Sequence, residues 1–382
     1  MNFVLIENGE VLDPNPRGEQ SVLVAGERIA RSGQIRRKAL DSLELAYEVI
    51  DASGCYVIPG LVDPHEHLIG GSGEQGFASQ TPEIALQELV RGGITTVAGC
   101  LGTDVHTKNM PALLAKAKAI NAQGLTSYIW SGGYTIPPAT LTGSVRTDVL
   151  FVAEVIGAGE VAIADRRSSA PALDELARIV RDTYVAGTLT FKAGVTHFHV
   201  GEEGSGMEHL RGLLNDHGIS TESLYPTHVE RTGALMKEAV ELTRRGVTVD
   251  VDTVERDLPR SLRCFLEQGG DPERFTASSD AAINSPETLW QQVRSCVLDH
   301  GLEFQTVLPV VTSNTARVLK LSAKGCLAAN ADADLLVVRR DSLEIVEVIG
   351  RGKRLLKEGA VAIAPPWVTE SNRRIELYGQ KP

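Results

Sequence analysis

The sequence lacks paired cysteines, long apolar runs and an excess of basic residues, and each absence excludes a class of protein. Its five cysteines are scattered over 382 residues without a CxxC pair, which favours a reduced, cytoplasmic protein. No stretch approaches the roughly 18 apolar residues of a membrane-spanning helix. We expect no signal peptide, because the N-terminus lacks the charged and apolar regions of one. The formal net charge of −11 argues against nucleic-acid and anionic-membrane partners.

Hydrophobic residues make up 42% of the chain, which is enough for a large core, and their spacing differs between the ends and the middle. Near both ends, apolar residues alternate with a period close to two, as in SVLVAGERIARSG and DADLLVVRRD, which predicts strands. In the middle, eight short apolar runs alternate with amphipathic stretches of about 10–18 residues. We therefore predict an α/β protein in which residues 58–322 form a (β/α)8 TIM barrel between β-rich segments at 1–57 and 323–382.

Polar residues follow several apolar runs of the predicted barrel. The catalytic groups of such barrels lie at the carboxyl ends of the strands, so these polar residues are candidates for a functional site. They are His65 and His67 after the first run, Glu160 and Asp165 near the fourth, His199 on the fifth, His228 on the sixth and Asp280 on the eighth. The recurrence of imidazole and carboxylate groups predicts a site assembled from several strands.

His65 and His67 begin a predicted metal site. Alternate residues of an extended strand face the same way, so both imidazoles can reach one ion at about 2.0–2.1 Å. An isolated His-x-His pair is often only a hydrogen-bonded pair, but His199, His228 and Asp280 at three other strand ends favour metal binding. Imidazole and carboxylate ligands without thiolate favour zinc over manganese, iron or cobalt.

Several motifs resemble those of the amidohydrolase superfamily, namely PGLVDPHEH, single histidines on strands five and six, SSD on strand eight and ANADADLLVV before the last strands. The resemblance spans essentially the whole chain and implies a small β-sandwich domain built from both termini. HLIGGSGEQG, LTGSVRTD, DRRSSAP, FHVGE and PTHVER also resemble the bacterial isoaspartyl (β-aspartyl) dipeptidases. That group implies a homo-oligomeric binuclear zinc hydrolase, which cleaves dipeptides whose peptide bond runs through the β-carboxyl of aspartate.

The resemblance assigns the predicted ligands to two ions. His65 and His67 would bind the more buried ion and His199 and His228 the second, while Asp280 would contact the first ion and shuttle the proton. A hydroxide bridging two zinc ions, or other divalent ions, would attack the scissile carbonyl. Histidine must be neutral to bind a metal, so activity is expected to fall below about pH 6.

The resemblance also implies a substrate pocket. Glu74 would receive the free α-amino group of the dipeptide, Tyr134 would polarise the scissile carbonyl, and Thr103 would line the pocket. Arg167 and Arg231 would hold substrate carboxylates. These residue types suit a dipeptide with one ammonium and two carboxylates, because a guanidinium presents a fork that matches a carboxylate.

The chain departs from this family at two places. Glu160 stands where the family usually carries a carboxylated lysine between the two metals, and a glutamate has the same charge and can bridge two ions. Lys192, before the fifth strand, is the alternative, and without a bridge the site would hold one metal. After Asp280 the chain passes quickly into a helix, so Asn284 would replace the family's serine contact to a substrate carboxylate.

Two other functions stay open at the level of sequence. The first is a different amidohydrolase reaction on an N-acyl amino acid or a cyclic amide, or a deamination, with the substrate shifted by the changes at Glu160 and after Asp280. The second is a barrel kept for assembly without catalysis. Glu74 discriminates within the first group, because a substrate without an ammonium has little use for it, and the intact histidine and aspartate set argues against the second.

Overall fold

The chain has strand-rich ends and a middle in which strands and helices alternate. The computed structural model describes residues 3–71 and 73–372. Within them the strands are β1 (Phe3–Asp13), β2 (Asn15–Ala25), β3 (Arg28–Gly33), β4 (Glu48–Asp51), β5 (Cys55–Pro59), β6 (Leu61–Glu66), β7 (Ile94–Gly99), β8 (Thr126–Ser131), β9 (Val155–Ile163), β10 (Thr196–Val200), β11 (Leu224–Thr227), β12 (Val249–Asp252), β13 (Phe275–Ser278), β14 (Leu335–Arg339), β15 (Ile345–Gly350), β16 (Lys353–Lys357) and β17 (Ala360–Val361). The α-helices are α1 (Arg37–Asp41), α2 (Leu86–Arg91), α3 (Met110–Gln123), α4 (Val145–Phe151), α5 (Leu173–Thr190), α6 (Glu208–Asn215), α7 (Gly233–Arg245), α8 (Leu258–Glu267), α9 (Glu287–Leu298), α10 (Phe304–Val307), α11 (Ser313–Val318) and α12 (Pro366–Glu370).

The strands of both ends pair in one nine-stranded sheet. Its order is β17-β16-β15-β14-β5-β1-β2-β3, and β4 pairs with β1. β5 joins the two halves, since it runs parallel to β1 and antiparallel to β14, with Val57 opposite Val337. The pairing gives a single sheet and does not confirm the sandwich that the resemblance implied. Residues 373–382 of the predicted C-terminal segment lie outside the described part of the chain.

Eight parallel strands form the barrel predicted for the middle of the chain. β6 to β11 pair in sequence order, and β12 pairs with β13. The end of β13 returns to β6 through two backbone hydrogen bonds. The N–H of Asp280 donates to the carbonyl of His65 at 3.0 Å, and the N–H of His67 donates to the carbonyl of Ala281 at 3.0 Å. The last and first strands therefore meet at three residues that the sequence predicted as metal ligands.

Local sequence signals begin and end two of the barrel helices. The side chain of Asn109 accepts the N–H of Ala112 at the start of α3, and the side chain of Thr232 caps α7 in the same way. Gly124 and Gly246 end these helices with φ values of 108° and 106°, a left-handed conformation that glycine adopts without strain. Among the described residues, no helix combines the length and apolar character that crossing a bilayer requires.

The first barrel strand begins later than the sequence predicts. The barrel is predicted to begin at residue 58, but β5 ends at Pro59 in the terminal sheet and β6 begins at Leu61 in the barrel. A Cβ on Gly60, between them, would lie 2.3 Å from Oγ1 of Thr95, so the chain crosses between the two sheets where a side chain has no room. The domain boundary predicted between residues 57 and 58 falls inside β5, and the division into two domains stays a prediction.

Lys324 is a buried cation between the barrel and the terminal sheet. It is 5% exposed, and its Nζ donates to Oγ1 of Thr126 on β8 at 2.7 Å. The same ammonium pairs with Asp332 at 2.8 Å and with the buried carboxylate of Asp334, just before β14. Removal of one partner from a buried ion pair leaves an uncompensated charge, so loss of either partner alone would destabilise the junction.

We predict that Lys324→Met lowers the free energy of unfolding by about 3–5 kcal/mol, because the carboxylate of Asp334 stays buried without its cation. Urea denaturation followed by circular dichroism measures the change. Lys357→Met is the control, since Lys357 forms an exposed ion pair with Glu48 at 3.9 Å and should change stability by less than about 1 kcal/mol. Equal losses in the two variants would contradict the structural role of Lys324.

Candidate functional site

Glu160 is the centre of the candidate site. It lies inside β9 and is fully buried. Its Oε2 is 3.0 Å from Nε2 of His65, whereas its Oε1 is 2.8 Å from Nδ1 of His199 and 3.1 Å from Nε2 of His228. The two carboxylate oxygens thus face histidines from three different strands.

Asp280 completes the first of two donor groups. Its Oδ1 lies 3.1 Å from Nε2 of His67 and 3.4 Å from Nε2 of His65. His65, His67 and Asp280 therefore gather on the Oε2 side of Glu160, and the other two histidines gather on its Oε1 side. The structure brings together all six residues that the sequence predicted as ligands.

The donor set fits a divalent cation. Its donor atoms are imidazole nitrogens and carboxylate oxygens, which suit zinc and related metals, and combinations of three or four of them lie within 4.8 Å of one another. Burial alone would raise the pKa of Glu160, but the imidazoles of His65 and His199 outweigh it and hold that pKa well below its usual range. The buried carboxylate of Glu160 can therefore stabilise a metal cation bound between it and the imidazoles.

Cys100 belongs to the same cluster and was not among the ligands that the sequence predicted. It follows β7 and is 1% exposed. Its Sγ lies 3.7 Å from Nδ1 of His67 and 4.0 Å from Oε2 of Glu160. The first donor group therefore has a thiol beside it.

Two further carboxylates contact the outer nitrogens of the histidines. Oδ2 of Asp252 lies 2.6 Å from Nδ1 of His228, and Oδ2 of Asp165 lies 2.9 Å from Nε2 of His199. Each carboxylate can accept the ring N–H and leave the opposite nitrogen facing Glu160, which is the usual way that proteins orient a ligating imidazole. The sequence prediction missed Asp252, although it ends β12 and meets the same strand-end rule.

The predicted substrate residues line one cavity of about 150 Å³ at this end of the barrel. Its wall includes Glu74, Thr103, Tyr134, Arg167, Arg231 and Asn284, together with His67 and Asp280 of the first donor group. Lys108 also lines the cavity and was missed by the sequence prediction, and its Nζ donates to the carbonyl of Ile69 at 2.8 Å. The pocket and the cluster of donors are therefore parts of the same site.

Tyr134 stands between the donor groups and the pocket. It is 5% exposed, and its hydroxyl lies 2.7 Å from Nδ1 of His199. Burial and the nearby charge of Glu160 raise the pKa of Tyr134 well above its usual value, so its hydroxyl keeps its proton. The guanidinium of Arg167 lies 5.2 Å from the centre of its ring. Tyr134 can thus act as a hydrogen-bond donor at neutral pH.

The charged residues of the pocket are paired unequally. Arg167 forms a fork with both carboxylate oxygens of Asp165, at 2.9 and 2.7 Å, and its Nη1 donates to Oε1 of Glu74 at 2.8 Å. For Arg231 the nearest carboxylate oxygen is on Asp252, at 3.9 Å. Arg231 is therefore the guanidinium with more capacity for an incoming carboxylate.

Asn284 lines the pocket but directs its amide donors elsewhere. Its Nδ2 donates to the carbonyl of Ser279 at 2.9 Å and to Oγ1 of Thr288 at 3.0 Å. These contacts hold the start of α9 against the end of β13. The predicted contact of Asn284 with a substrate carboxylate has no support from this geometry and stays a prediction.

Lys192, the alternative bridging residue, lies away from the donor groups. Its Nζ donates to the carbonyls of Val149 and Val152 at 2.7 and 2.6 Å, where it caps the end of α4. His197 lies beneath the site, stacked on Trp130 with ring centres 5.2 Å apart. Burial lowers the pKa of His197 well below its usual value, so it is a neutral packing group.

Comparison with known proteins shows the family. The model of the amidohydrolase family matches residues 56–357, so the chain belongs to the amidohydrolase family. A solved β-aspartyl dipeptidase from Fervidobacterium islandicum AW-1 is 37% identical, with a TM-score of 0.91 over 95% of this chain and 99% of that one. The same enzyme in complex with the dipeptide β-Asp-Leu is 36% identical, with a TM-score of 0.89 over the same shares of both chains.

Relatives with other activities match less closely. A dihydroorotase from Pelotomaculum thermopropionicum is 32% identical over 165 residues, which is 42% of this chain and 35% of that protein. An adenine deaminase from Mesorhizobium japonicum is 24% identical over 95% of this chain and 57% of its own length. The chain thus spans about a third and just over half of these two relatives, respectively.

We predict that Asp252→Asn weakens metal binding about 10–100-fold, because the ring of His228 loses the carboxylate that orients it. Retained metal per chain, measured by elemental analysis after dialysis against a graded series of chelator concentrations, tests this. Asp250→Asn is the control on the same strand, since Asp250 accepts hydrogen bonds from the hydroxyls of Thr227 and Ser278 and makes no hydrogen bond to His228. If Asp252→Asn keeps its metal at the same chelator concentrations as the unmodified protein, Asp252 does not orient His228 for metal binding.

Proposed function

We propose that this chain is a binuclear metal-dependent hydrolase of isoaspartyl dipeptides. One observation carries the proposal. A single cavity brings a carboxylate, Glu74, and two guanidiniums, Arg167 and Arg231, beside the metal donors His67 and Asp280. That arrangement matches the charges of a dipeptide, and the close likeness to a β-aspartyl dipeptidase over the whole chain supports it.

The donor groups suggest how two ions would be held. His65, His67 and Asp280 would bind one ion, and His199 and His228 would bind the other. Glu160 would bridge the two ions. When bound, two divalent ions such as zinc supply an acidified water molecule and polarise a carbonyl. The two-sided placement of the histidines around the oxygens of Glu160 supports this division.

Asp280 and Tyr134 would carry out the steps that need side chains. Asp280 lines the cavity and faces His67, so its carboxylate is placed to take the proton of the attacking water and deliver it to the leaving amine. Tyr134 keeps its proton and lies at the same wall. Once Nδ1 of His199 is a ligand, the hydroxyl of Tyr134 loses that acceptor and can donate to the scissile carbonyl oxygen instead.

Substrate charge would replace an internal ion pair. Glu74 and Arg167 pair at 2.8 Å, while the side chain of Glu74 is 46% exposed and Thr103 approaches it at 3.4 Å. The substrate ammonium can pair with Glu74 while one substrate carboxylate binds the free side of Arg167. Arg231 can bind the second substrate carboxylate. A zwitterionic substrate thus restores the contacts that it breaks, which favours it over an uncharged amide.

A different amidohydrolase reaction on a cyclic amide is the second candidate, because the dihydroorotase match covers part of the chain. Such a substrate lacks an ammonium and would leave Glu74 without a partner from the ligand. The predicted homo-oligomer and the cytoplasmic location stay predictions.

We expect the zinc-loaded protein to cleave β-Asp-Leu and to leave α-Asp-Leu and N-acetyl-Leu intact. The pocket residues that bind the ammonium and carboxylate groups of the substrate determine which bond lies beside the metal donors. In α-Asp-Leu and N-acetyl-Leu these charged groups are missing or lie at other distances from the scissile bond. Chromatographic detection of free leucine, with metal content measured on the same sample, checks this. Cleavage of N-acetyl-Leu alone would contradict the dipeptidase proposal.

We predict that Glu74→Gln lowers kcat/KM for β-Asp-Leu by at least about 30-fold, because the ion pair to the substrate ammonium is lost. The variant should not lower the activity on an N-acyl substrate if that compound is cleaved at all. Glu83→Gln is the matched control, since Glu83 forms an exposed pair with Lys116 at 3.1 Å. A Glu74→Gln enzyme with unchanged kcat/KM for β-Asp-Leu would rule out recognition of the ammonium by this residue.

A further inference from the structure

A second, larger cavity adjoins the candidate active site. It has a volume of about 620 Å³ and shares Arg231 and Val254 with the substrate pocket. Arg231 is the guanidinium with capacity for a carboxylate, as its contacts show. A substrate whose carboxylate is held at Arg231 therefore has space beside it for a side chain.

The second cavity is acidic. Five of its lining residues are Glu202, Glu230, Asp252, Glu255 and Asp257, against two arginines. One of these arginines, Arg260, already pairs with Asp257 and has a side chain that is 77% exposed. Glu202 and Glu255 have no ion-pair partner among the described residues, so their charge is not compensated within the protein.

Two acceptors on the wall of this cavity also lack partners. Glu230 is 8% exposed, and its Oε2 has no hydrogen-bond partner in the described part of the chain. Oδ1 of Asp257 is buried and unpartnered in the same way. Both oxygens are closed off from solvent, so a ligand in the cavity would be attracted by their partial negative charge without contacting them.

We propose that this cavity, lined by the five acidic residues named above, receives the side chain of the leaving residue and selects isoaspartyl dipeptides with lysine or arginine in that position. The proposal rests on the proposed function, since it places the carboxylate of the leaving residue at Arg231. A cationic side chain supplies the opposite charge that Glu202 and Glu255 lack, and both of these carboxylates line the cavity. An apolar side chain would meet mainly Val254 and would desolvate the carboxylates without compensation.

The test compares β-Asp-Lys with β-Asp-norleucine, which has nearly the same shape without the charge. We expect kcat/KM for β-Asp-Lys to be higher by about tenfold or more at low salt, with the advantage shrinking as ionic strength rises. β-Asp-Glu should be the poorest of the three substrates because its charge is repelled. All three are measured on the metal-loaded, full-length protein.

Variants locate the effect. Glu255→Gln and Glu202→Gln should each lower the lysine-to-norleucine ratio of kcat/KM by about threefold to tenfold. Glu203→Gln is the control, since Glu203 lines a neighbouring cavity that shares Glu202 and Arg231 but not Glu255, and it should leave the ratio unchanged. Melting temperatures confirm that the exposed substitutions leave the fold intact.

The outcomes separate the two proposals. Equal kcat/KM for β-Asp-Lys and β-Asp-norleucine would overturn the cationic preference while leaving isoaspartyl hydrolysis intact. Collapse of the ratio in Glu203→Gln but not in Glu255→Gln would also overturn it, because the side chain would then occupy the neighbouring cavity. Cleavage of none of the dipeptides by a metal-loaded protein would remove the proposed function, and the preference with it.

Discussion

The buried carboxylate of Glu160 is the constraint on which the rest of the site depends. It is fully buried and carries a negative charge that water cannot stabilise. Its two oxygens meet His65 on one side and His199 and His228 on the other, so three strands of the barrel are held in register by one anion. Glu160 thus brings imidazoles from separate strands close together. Bound cations would neutralise its negative charge together with these imidazoles.

From Glu160 outward to the substrate pocket, carboxylates alternate with imidazoles and a guanidinium. Carboxylates contact the outer nitrogens of two histidines, an arginine forks onto one of those carboxylates, and a glutamate at the pocket wall accepts from that arginine. The order along this chain of contacts is Asp252, His228, Glu160, His199, Asp165, Arg167 and Glu74. Because each carboxylate in this series contacts an imidazole or a guanidinium, the groups that would hold metal and those that would bind a zwitterion fix each other's positions.

The sequence predicted the barrel and the cluster of donors because both depend on local patterns, whereas the finer contacts depend on residues far apart in the chain. The strand-end rule found His65, His199, His228 and Glu160, but the role of Glu160 as the bridge between two ions came only from the resemblance. In VTVDVD, polar residues alternate with apolar ones as in any strand, so the sequence does not single out Asp252. Its contact with His228 forms only when β11 and β12 lie side by side. Asn284 was given a substrate contact, yet its amide is held by Ser279 and Thr288, which no local pattern shows.

The most direct test of the account is zinc-edge anomalous diffraction from crystals of the zinc-loaded protein, because it locates metal without reference to activity. If Glu160 bridges two ions, two anomalous peaks should lie on either side of it, one next to His65, His67 and Asp280 and the other next to His199 and His228. A single peak, or peaks that do not share Glu160, would contradict the central claim that this carboxylate bridges two ions.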